Sequence, residues 1–347
     1  MGKLFSRGII LEQHKEPALS REIKNFAAGS AQYISGSFPV NIDEISAEEI
    51  AGIARDAGII DERDGKALHL KLARRSNKNA TAIVVDAIDD EPFVSSQLSP
   101  MLKYRSELAL GALFAQKAVG AQRKYIGVYK NISDIEIKIP KDIDGIPIKR
   151  IMGRYPVDFR LADEFKGEKI VPIGACALIH LARAATAGQK HTSVFVTVSG
   201  NCVTPTNVEV EVGTPVIKVL EACGLADDPN HLVMGGPMTG DCITDIDKAV
   251  IEYSTRAILA IKDDYMERNY SCIGCAKCSD VCPEGLNPYY IYHSIKHKRY
   301  FDLKLYKTDR CIGCGTCSYV CPAKLEISAT IQNAKKYLMA KSQGAVR

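Results

Sequence analysis

The run TAIVVDAI (81–88) is apolar at nearly every position and has the length of a buried strand. SELALGALFAQKAVGA (106–121) then spaces its apolar residues as a helix does, and KYIGVY (124–129) returns to strand character. Strand, helix and strand at this spacing predict a βαβ unit on a parallel sheet. Upstream, Ser46 predicts a helix start. It is a suitable N-cap, Glu49 completes a capping box, and Gly58 stands where a helix-ending glycine belongs. ALIHLARAATAG (177–188) predicts a further helix, whereas 139–168 is rich in Pro, Asp and Lys and carries no clear period.

TSVFVTVSG and NVEVEV alternate apolar and polar positions, the pattern of half-buried strands. GTPVIKVLEACG predicts a helix with Thr214 as N-cap, Pro215 in the first turn and Gly224 past the end. With the returning strand HLVMGG, this makes a β-grasp-like unit over 191–245. Residues 1–45 carry short β-type runs (GIIL, AQYISGSFPV) broken by Gly, Pro and Ser, and read as a small β unit. EISATIQNAKKYLMAKSQGAVR predicts a closing helix with a basic end, whose Lys335, Lys336, Lys341 and Arg347 read as a solvated face.

The 45 basic and 41 acidic residues nearly cancel, at a net charge of +4, and point to no nucleic-acid partner. No stretch approaches 18 uninterrupted apolar residues, so no membrane-spanning helix is expected. The opening MGKLFSRGIILEQHKE has too short an apolar core, and no small-residue cleavage site, for a signal peptide. Twelve cysteines without an export signal imply a reducing, cytoplasmic compartment, where spaced cysteines serve metal or redox chemistry.

Eight of these cysteines form one pattern written twice. CIGCAKCSDVCP and CIGCGTCSYVCP place Cys272, Cys275, Cys278 and Cys282, then Cys311, Cys314, Cys317 and Cys321, with an offset of 39 residues. C-x2-C-x2-C-x3-C-P is the bacterial ferredoxin run for 4Fe–4S clusters. Gly274 and Gly313 let the backbone bend close to inorganic sulfur, and Pro283 and Pro322 turn the chain away. In two-cluster ferredoxins the fourth cysteine ligates the other cluster. The expected sets are therefore Cys272, Cys275, Cys278 and Cys321 for one cluster, and Cys311, Cys314, Cys317 and Cys282 for the other. Paired structural zinc sites are the alternative, but zinc ribbons usually keep their C-x2-C pairs apart. Cys176, Cys202, Cys223 and Cys242 have no mutual ligand spacing and are expected to pack in cores. His14, His69, His180 and His191 are scattered singly, which gives none a ligand role. YYIYHSIKHKRYF (289–301) mixes aromatic and basic residues, and is expected to pack over the clusters with its basic groups at the rim for docking.

A two-cluster module after a β-grasp unit ending VMGGPMTG (233–240) resembles the RnfC family, the peripheral, NADH-facing subunits of Rnf electron-transport complexes. That family has relatives among electron-transfer proteins linked to proline reductase and to propanediol-type cobalamin reduction. GIILEQHKE (8–16) resembles its amino-terminal barrel-sandwich segment, DDEPFVSSQ (89–97) its Glu-Pro strand end, and SGNCVTPTNVEVEVGTPVIKVLEACG (199–224) its SLBB module. GGPMTG is specific to the family but reads on its own as a tight turn.

The resemblance also implies FMN and NADH, bound at a GxGGAGFPT loop after AGI. Here that stretch is AGIIDERDGKALHLKL (57–72), and only Gly65 remains within the loop. Asp61, Glu62 and Asp64 bring bulk and negative charge; Arg63 and Lys66 offset part of the charge, so bulk counts for more than repulsion. A carboxylate about 4 Å from a phosphate costs on the order of 4 kcal/mol per unit charge at an effective dielectric near 20. The family's ECEP is replaced by Asp89, Asp90, Glu91 and Pro92, and its NVGT-like turn by PIGA (172–175), with Pro172 lacking an amide. FMN and NADH are therefore not expected, and Glu91 and Gly174 serve as cofactor contacts only if the pocket works.

The expected architecture is a multi-domain α/β chain. It comprises an N-terminal β barrel-sandwich-like unit (1–45), a Rossmann-like α/β domain related to FMN/NADH-binding domains (46–190), an SLBB-like β-grasp module (191–245), a ferredoxin-type α module with two 4Fe–4S clusters (262–330), and a basic tail (331–347). The expected function is that of an RnfC-like electron-transfer protein, itself making no bonds. It relays electrons from a flavoprotein or ferredoxin donor to a partner reductase or Rnf-type membrane complex, and meets the cytoplasmic face of a membrane only through that partner. Two other readings stay open: a complete NADH-oxidising, FMN-dependent oxidoreductase of the RnfC type, and a binding or assembly module with structural clusters.

Overall fold

The computed structural model describes residues 23–25, 31–129, 139–224, 231–262 and 270–342. The barrel-sandwich-like segment 8–16, His14 and Arg347 lie outside them. The chain divides into two compact units: residues 1–153, 157–237 and 241–263 form one, and 154–156, 238–240 and 264–347 the other.

In the first unit, β1 (Ile23–Asn25) precedes α1 (Ala47–Asp56). The capping box at α1 is present: the Ser46 hydroxyl accepts the Glu49 amide at 3.2 Å, and the Glu49 carboxylate accepts the Ser46 amide at 2.8 Å. Gly58 then turns the chain at φ 67°. β2 (Ile60–Asp61) and β3 (Lys66–Ala67) form a short hairpin leading to α2 (Leu68–Ala73). The predicted βαβ unit follows as β4 (Ala82–Asp86), α3 (Leu98–Lys103), α4 (Arg105–Val119) and β5 (Arg123–Tyr129), with β4 and β5 parallel. The unpatterned stretch supplies a hairpin of β6 (Asp142–Ile143) and β7 (Ile146–Ile151), and a 3-10 segment over Asp158–Glu164. β8 (Ile170–Gly174) runs directly into α5 (Ala175–Ala187).

These strands form a five-stranded sheet in the order β6-β7-β5-β4-β8, parallel except for β6. Every position of β4 is buried. Ile83 and Val85 join the core of α4 and α5, while Val84 meets Val157, Leu161 and Phe165 on the other face. Cover on both faces explains why this strand reads as an unbroken apolar run. β5 and β7 lie to one side of β4, and β8 returns to the other. The crevice at the carboxyl ends of β4 and β8 is thus the switch point, where open α/β sheets bind ligands.

The same unit holds a second sheet, built from β9 (Ser193–Gly200), β10 (Thr206–Glu211), β11 (His231–Met234), β12 (Asp241–Cys242) and β13 (Ala257–Ile261), with α6 (Val216–Cys223) between β10 and β11. Its order is β1-β10-β9-β13-β11-β12, so β13 lies between β9 and the returning strand β11. The helix start shifts by one residue from the expectation. Pro215, not Thr214, is the N-cap of α6, and no side chain caps it.

β9 and β10 are not half-buried. Every residue of β9 is covered, as are all but the last of β10. The alternation is present, with Val194, Val196 and Val198 in one core, but the polar face is covered too. Thr197 accepts the Ser95 amide at 3.0 Å and donates to Asn207 at 2.7 Å, and Asn207 donates to Ser95 and Ser99. Glu209 takes Arg183 at 2.6 Å, Ser193 at 2.9 Å and Tyr104 at 3.1 Å. Buried polar groups of this kind are tolerated because nearly all of them find partners.

The second unit is helical: α7 (Lys277–Asp280), α8 (Pro288–Lys296), α9 (Asp302–Leu305), α10 (Thr316–Tyr319) and α11 (Ile327–Ser342). The 39-residue offset of the cysteines extends to these elements. α7 and α10 begin 39 residues apart, as do α8 and α11. Leu286, Ile291, Leu303, Ile327 and Ile331 form its core with Cys278 and Cys317. The aromatic-basic stretch divides accordingly: Ile291 and Tyr292 are buried, whereas Tyr300 and Phe301 face solvent. Among the described residues no helix is long and apolar enough to cross a membrane.

Candidate functional site

A pocket in the helical unit is lined by Cys311, Cys314 and Cys317 of the second run and by Cys282 of the first, with Leu286 and Ile331 among its apolar walls. At the other run, Cys272 and Cys275 are exposed and Cys278 is buried. The charge of Cys321 is felt at Cys278, whose thiol is raised chiefly by burial. Burial, then Cys314 and Cys311, push Cys317 up to about 12. Burial also raises Cys282, with Cys314 and Cys311 adding to it. Such thiols do not ionise together without positive charge between them, which iron supplies. A single zinc ion would hold its sulfurs about 3.8 Å apart. Among the described residues no three His, Cys, Asp or Glu groups are gathered for one ion. The four cysteines that line one pocket are the donor set that a metal–sulfur cluster takes.

Both cysteine loops bend where the sequence predicts, at Gly274 (φ 69°) and Gly313 (φ 74°). Gly315 is a further constraint. At φ 76°, a Cβ there would lie 2.2 Å from the Met238 carbonyl oxygen. The GGPMTG stretch does form a turn at 237–239, and its Met238 also rests on the cysteine loop, which sequence reasoning missed. Gln332 donates Nε2 to Cys311 Sγ at 3.1 Å, and the Thr316 hydroxyl lies 3.2 Å from Cys314 Sγ. Lys335 is not part of a solvated face, for its Nζ donates to the Cys311 carbonyl at 2.8 Å.

Of the remaining cysteines, Cys176, Cys202 and Cys223 are buried as expected, whereas Cys242 is exposed on the short edge strand β12. His180 and His191 bring their rings to 4.1 Å between centroids, tilted by 33°. Burial lowers both, His191 to about 4, so the pair is neutral.

The switch-point crevice is filled by the turn between β2 and β3. Glu62 lays its carboxylate on the first amides of α5, accepting from Cys176 at 2.9 Å and Ala177 at 3.0 Å. A Cβ added at Gly174 would meet that carboxylate at 2.1 Å. Asp61, fully buried, accepts the Gly174 amide at 3.2 Å and pairs with Lys71. Arg63 reaches across to Asp86, the last residue of β4, at 2.6 Å, and donates to the Asp158 carbonyl at 2.6 Å. Burial and then Asp61 push Glu62 up to about 7. Burial also pushes Asp86 up to about 6 and Asp90 up to about 7.

The residues that replace ECEP have their own tasks. Asp89 caps α3 through the amides of Gln97 and Leu98 and pairs with Arg256 at 3.0 Å. Asp90 accepts the Val157 amide. A Cβ at Gly236 would meet the Glu91 carboxylate at 2.0 Å. The acidic turn acts by its bulk more than by its charge, the weighting that its sequence suggests. Its charges are directed at the protein's own amides and cations, so it excludes a ligand by occupying the crevice more than by repelling it. The amides that the start of α5 would offer an anionic ligand are taken by Glu62, and these residues do not fit FMN.

The 4Fe–4S dicluster domain family matches residues 271–325, and the SLBB domain family matches 195–241. The chain is 25% identical over 270 residues to the C subunit of the proton-translocating ferredoxin:NAD(+) oxidoreductase complex of Clostridium ljungdahlii, covering 72% of this chain and 58% of that one. It is 26% identical to the C subunit of the Na(+)-translocating counterpart of Acetobacterium woodii, covering 71% and 60%. Against the C subunit of the ion-translocating oxidoreductase complex of Rhodobacter capsulatus it is 26% identical, covering 70% and 51%. The chain thus spans between half and three fifths of the length of these relatives. Among solved structures, an NAD+-reducing nickel–iron hydrogenase in its H2-reduced state shares the fold, with a TM-score of 0.53 at 13% identity over 85% of this chain and 57% of that one. With its SLBB and dicluster modules in series, the chain is similar to the C subunits of these oxidoreductase complexes.

Proposed function

We propose that the protein is an electron relay, holding two 4Fe–4S clusters that pass single electrons between a redox-protein donor and a partner reductase or Rnf-type complex. The pocket that unites Cys282 with Cys311, Cys314 and Cys317 is the observation that carries this reading. Drawing the fourth thiol from the other run is what the exchanged ligation of two-cluster ferredoxins requires. The charge of Cys321 felt at Cys278 supports the complementary set with Cys272 and Cys275.

In this reading the chain's own residues exclude water, orient the thiolates and present the clusters to partners. Leu286 and Ile331 keep the second site dry, while exposed Cys272 and Cys275, with Ile273, put the first site at the surface. Electrons cross at the exposed loop, and the donor is a flavoprotein or ferredoxin. NADH is not the direct donor, because the crevice that would hold flavin is sealed by Glu62 and Arg63. In domain terms, residues 46–190 are a Rossmann-like scaffold without its ligand, 191–245 an SLBB-like module, and 262–330 the relay. The protein works in the cytoplasm, at a membrane only through a partner.

The test is an anaerobic absorbance spectrum with iron and flavin quantified, before and after NADH and then dithionite. The relay reading requires about eight irons per chain, little flavin, bleaching by dithionite and none by NADH alone. Bound FMN with bleaching by NADH would establish the flavoenzyme reading instead.

A further inference from the structure

The helical unit is an internal repeat, and the repeat can be followed residue by residue. Adding 39 takes Cys272 to Cys311, Gly274 to Gly313, Ala276 to Gly315 and Lys277 to Thr316. The equivalence holds in the backbone: residues 274, 276, 313 and 315 all have positive φ. The helices that follow begin at equivalent positions, Pro288 and Ile327. The same offset takes His293 on α8 to Gln332 on α11, and Lys296 to Lys335.

Gln332 has a defined task. Its side chain packs on Gly313 and its Nε2 donates to Cys311 Sγ at 3.1 Å. His293 stands 21 residues after Cys272, as Gln332 stands 21 after Cys311. Its Nε2 is buried and has no hydrogen-bond partner in the protein. A buried polar nitrogen without a partner is costly to keep, so its retention calls for an acceptor that arrives with the cluster. The neighbouring Tyr289 ring lies 4.6 Å from the His293 ring, and its hydroxyl comes within 4.0 Å of the Cβ position at Gly274. This face of α8 therefore lies over the first cysteine loop, as α11 lies over the second.

We propose that His293 is the hydrogen-bond donor that sets the potential of the first cluster, acting on the Cys272 side as Gln332 acts on Cys311. The inference rests on the relay reading. Each cluster takes up one electron from the protein donor and later gives it to the acceptor, and no bond is made or broken. The reduced cluster carries one more negative charge, and a donor aimed at its sulfur stabilises that state more than the oxidised one. His293 and Gln332 differ in ring, reach and hydrogen-bond strength, so two sites with the same thiolate spacing acquire different potentials.

The experiment is a mediated potentiometric titration of the holoprotein, followed by EPR of both reduced clusters, in wild type, His293→Phe, His293→Gln and Gln332→Leu. At a fixed potential, His293→Phe lowers the reduced-to-oxidised ratio of the first cluster by roughly tenfold, a shift of about 59 mV for one electron, and leaves the second unchanged. Gln332→Leu does the reverse. His293→Gln restores most of the first cluster's potential, because it keeps a donor while replacing the ring. If His293→Phe retains its full iron content and both potentials stay in place, the proposal is overturned. It is equally overturned if His293→Gln behaves as Phe does, since the ring's packing would then be the cause. Wild-type protein without iron would remove the relay itself, an outcome distinct from clusters present and unmoved.

Discussion

The carboxylate of Glu62 accepts the backbone amide of Cys176 at 2.9 Å, across 114 positions of sequence. Its second oxygen holds Ala177, so one side chain satisfies two of the amides that the start of α5 leaves open. Glu62→Ala leaves both without a partner. The expected cost is about 1–3 kcal/mol, read as a lower urea midpoint. An unchanged midpoint would mean that water replaces the carboxylate freely.

Glu62 of this turn, with Asp86 and Asp90, makes stability depend on acidity. Glu62 is raised from 4.5 to about 7, Asp86 from 3.8 to about 6 and Asp90 from 3.8 to about 7, burial being the main cause in each. The folded chain therefore keeps protons that the unfolded chain has already released. Their contribution is full below about pH 4 and is lost as pH rises through about 6 to 7. Denaturation midpoints taken between pH 5 and 8 are expected to fall over this window, and Glu62→Gln to make the fall shallower. A slope unaffected by that substitution would show that Glu62 does not titrate there.

Cys282 belongs to the first run but lines the pocket of the second. Cys282→Ala is accordingly expected to remove the cluster held by Cys311, Cys314 and Cys317, and Cys321→Ala the other one. Iron should drop from about eight to about four per chain in each case. EPR of the survivors decides the matter: if Cys282→Ala spares the second cluster and removes the first, the exchange of ligands is refuted.

Gly315 and its counterpart Ala276 share a left-handed backbone, yet only one is glycine. At Ala276 a side chain is present and tolerated. At Gly315 it would collide with the Met238 carbonyl. Gly315→Ala should therefore lose iron from the second site while Ala276→Gly retains both clusters. Equal iron contents in the two variants would show that the Met238 segment yields easily.

Arg183 and Glu209 meet at 2.6 Å with both side chains largely covered. Glu209→Leu leaves the guanidinium without its main partner and should cost about 3–5 kcal/mol, seen in chemical denaturation. A loss under about 1 kcal/mol would indicate that Glu107, 3.5 Å from Arg183, takes over the role.

What the sequence reveals follows from the range of the interactions involved. The Ser46–Glu49 box and the β4 run are legible because their causes lie within a few residues. The paired cysteine runs are legible because ligand spacing is itself local. The polar face of β9 and β10 misleads, since Thr197, Asn207 and Glu209 in alternation look like solvated positions. Only the fold brings Ser95, Tyr104 and Arg183 to cover them. The turn at 61–64 is legible as a broken glycine loop, but not as a filling for the crevice, because its partners at 86, 158 and 174–177 are remote. The 39-residue offset is visible in the cysteine spacing alone. Its extension to His293 and Gln332 needs the orphaned imidazole nitrogen to give it meaning.

A pocket with three cysteines from one repeat and the fourth from its twin makes the halves interdependent. Neither can be completed while the other is unfolded, so iron loading and folding of the module should proceed as one all-or-none event. Damage should follow the same logic: in the proposed arrangement, oxidation of a single shared thiol in one half would strip the opposite half of its anchor.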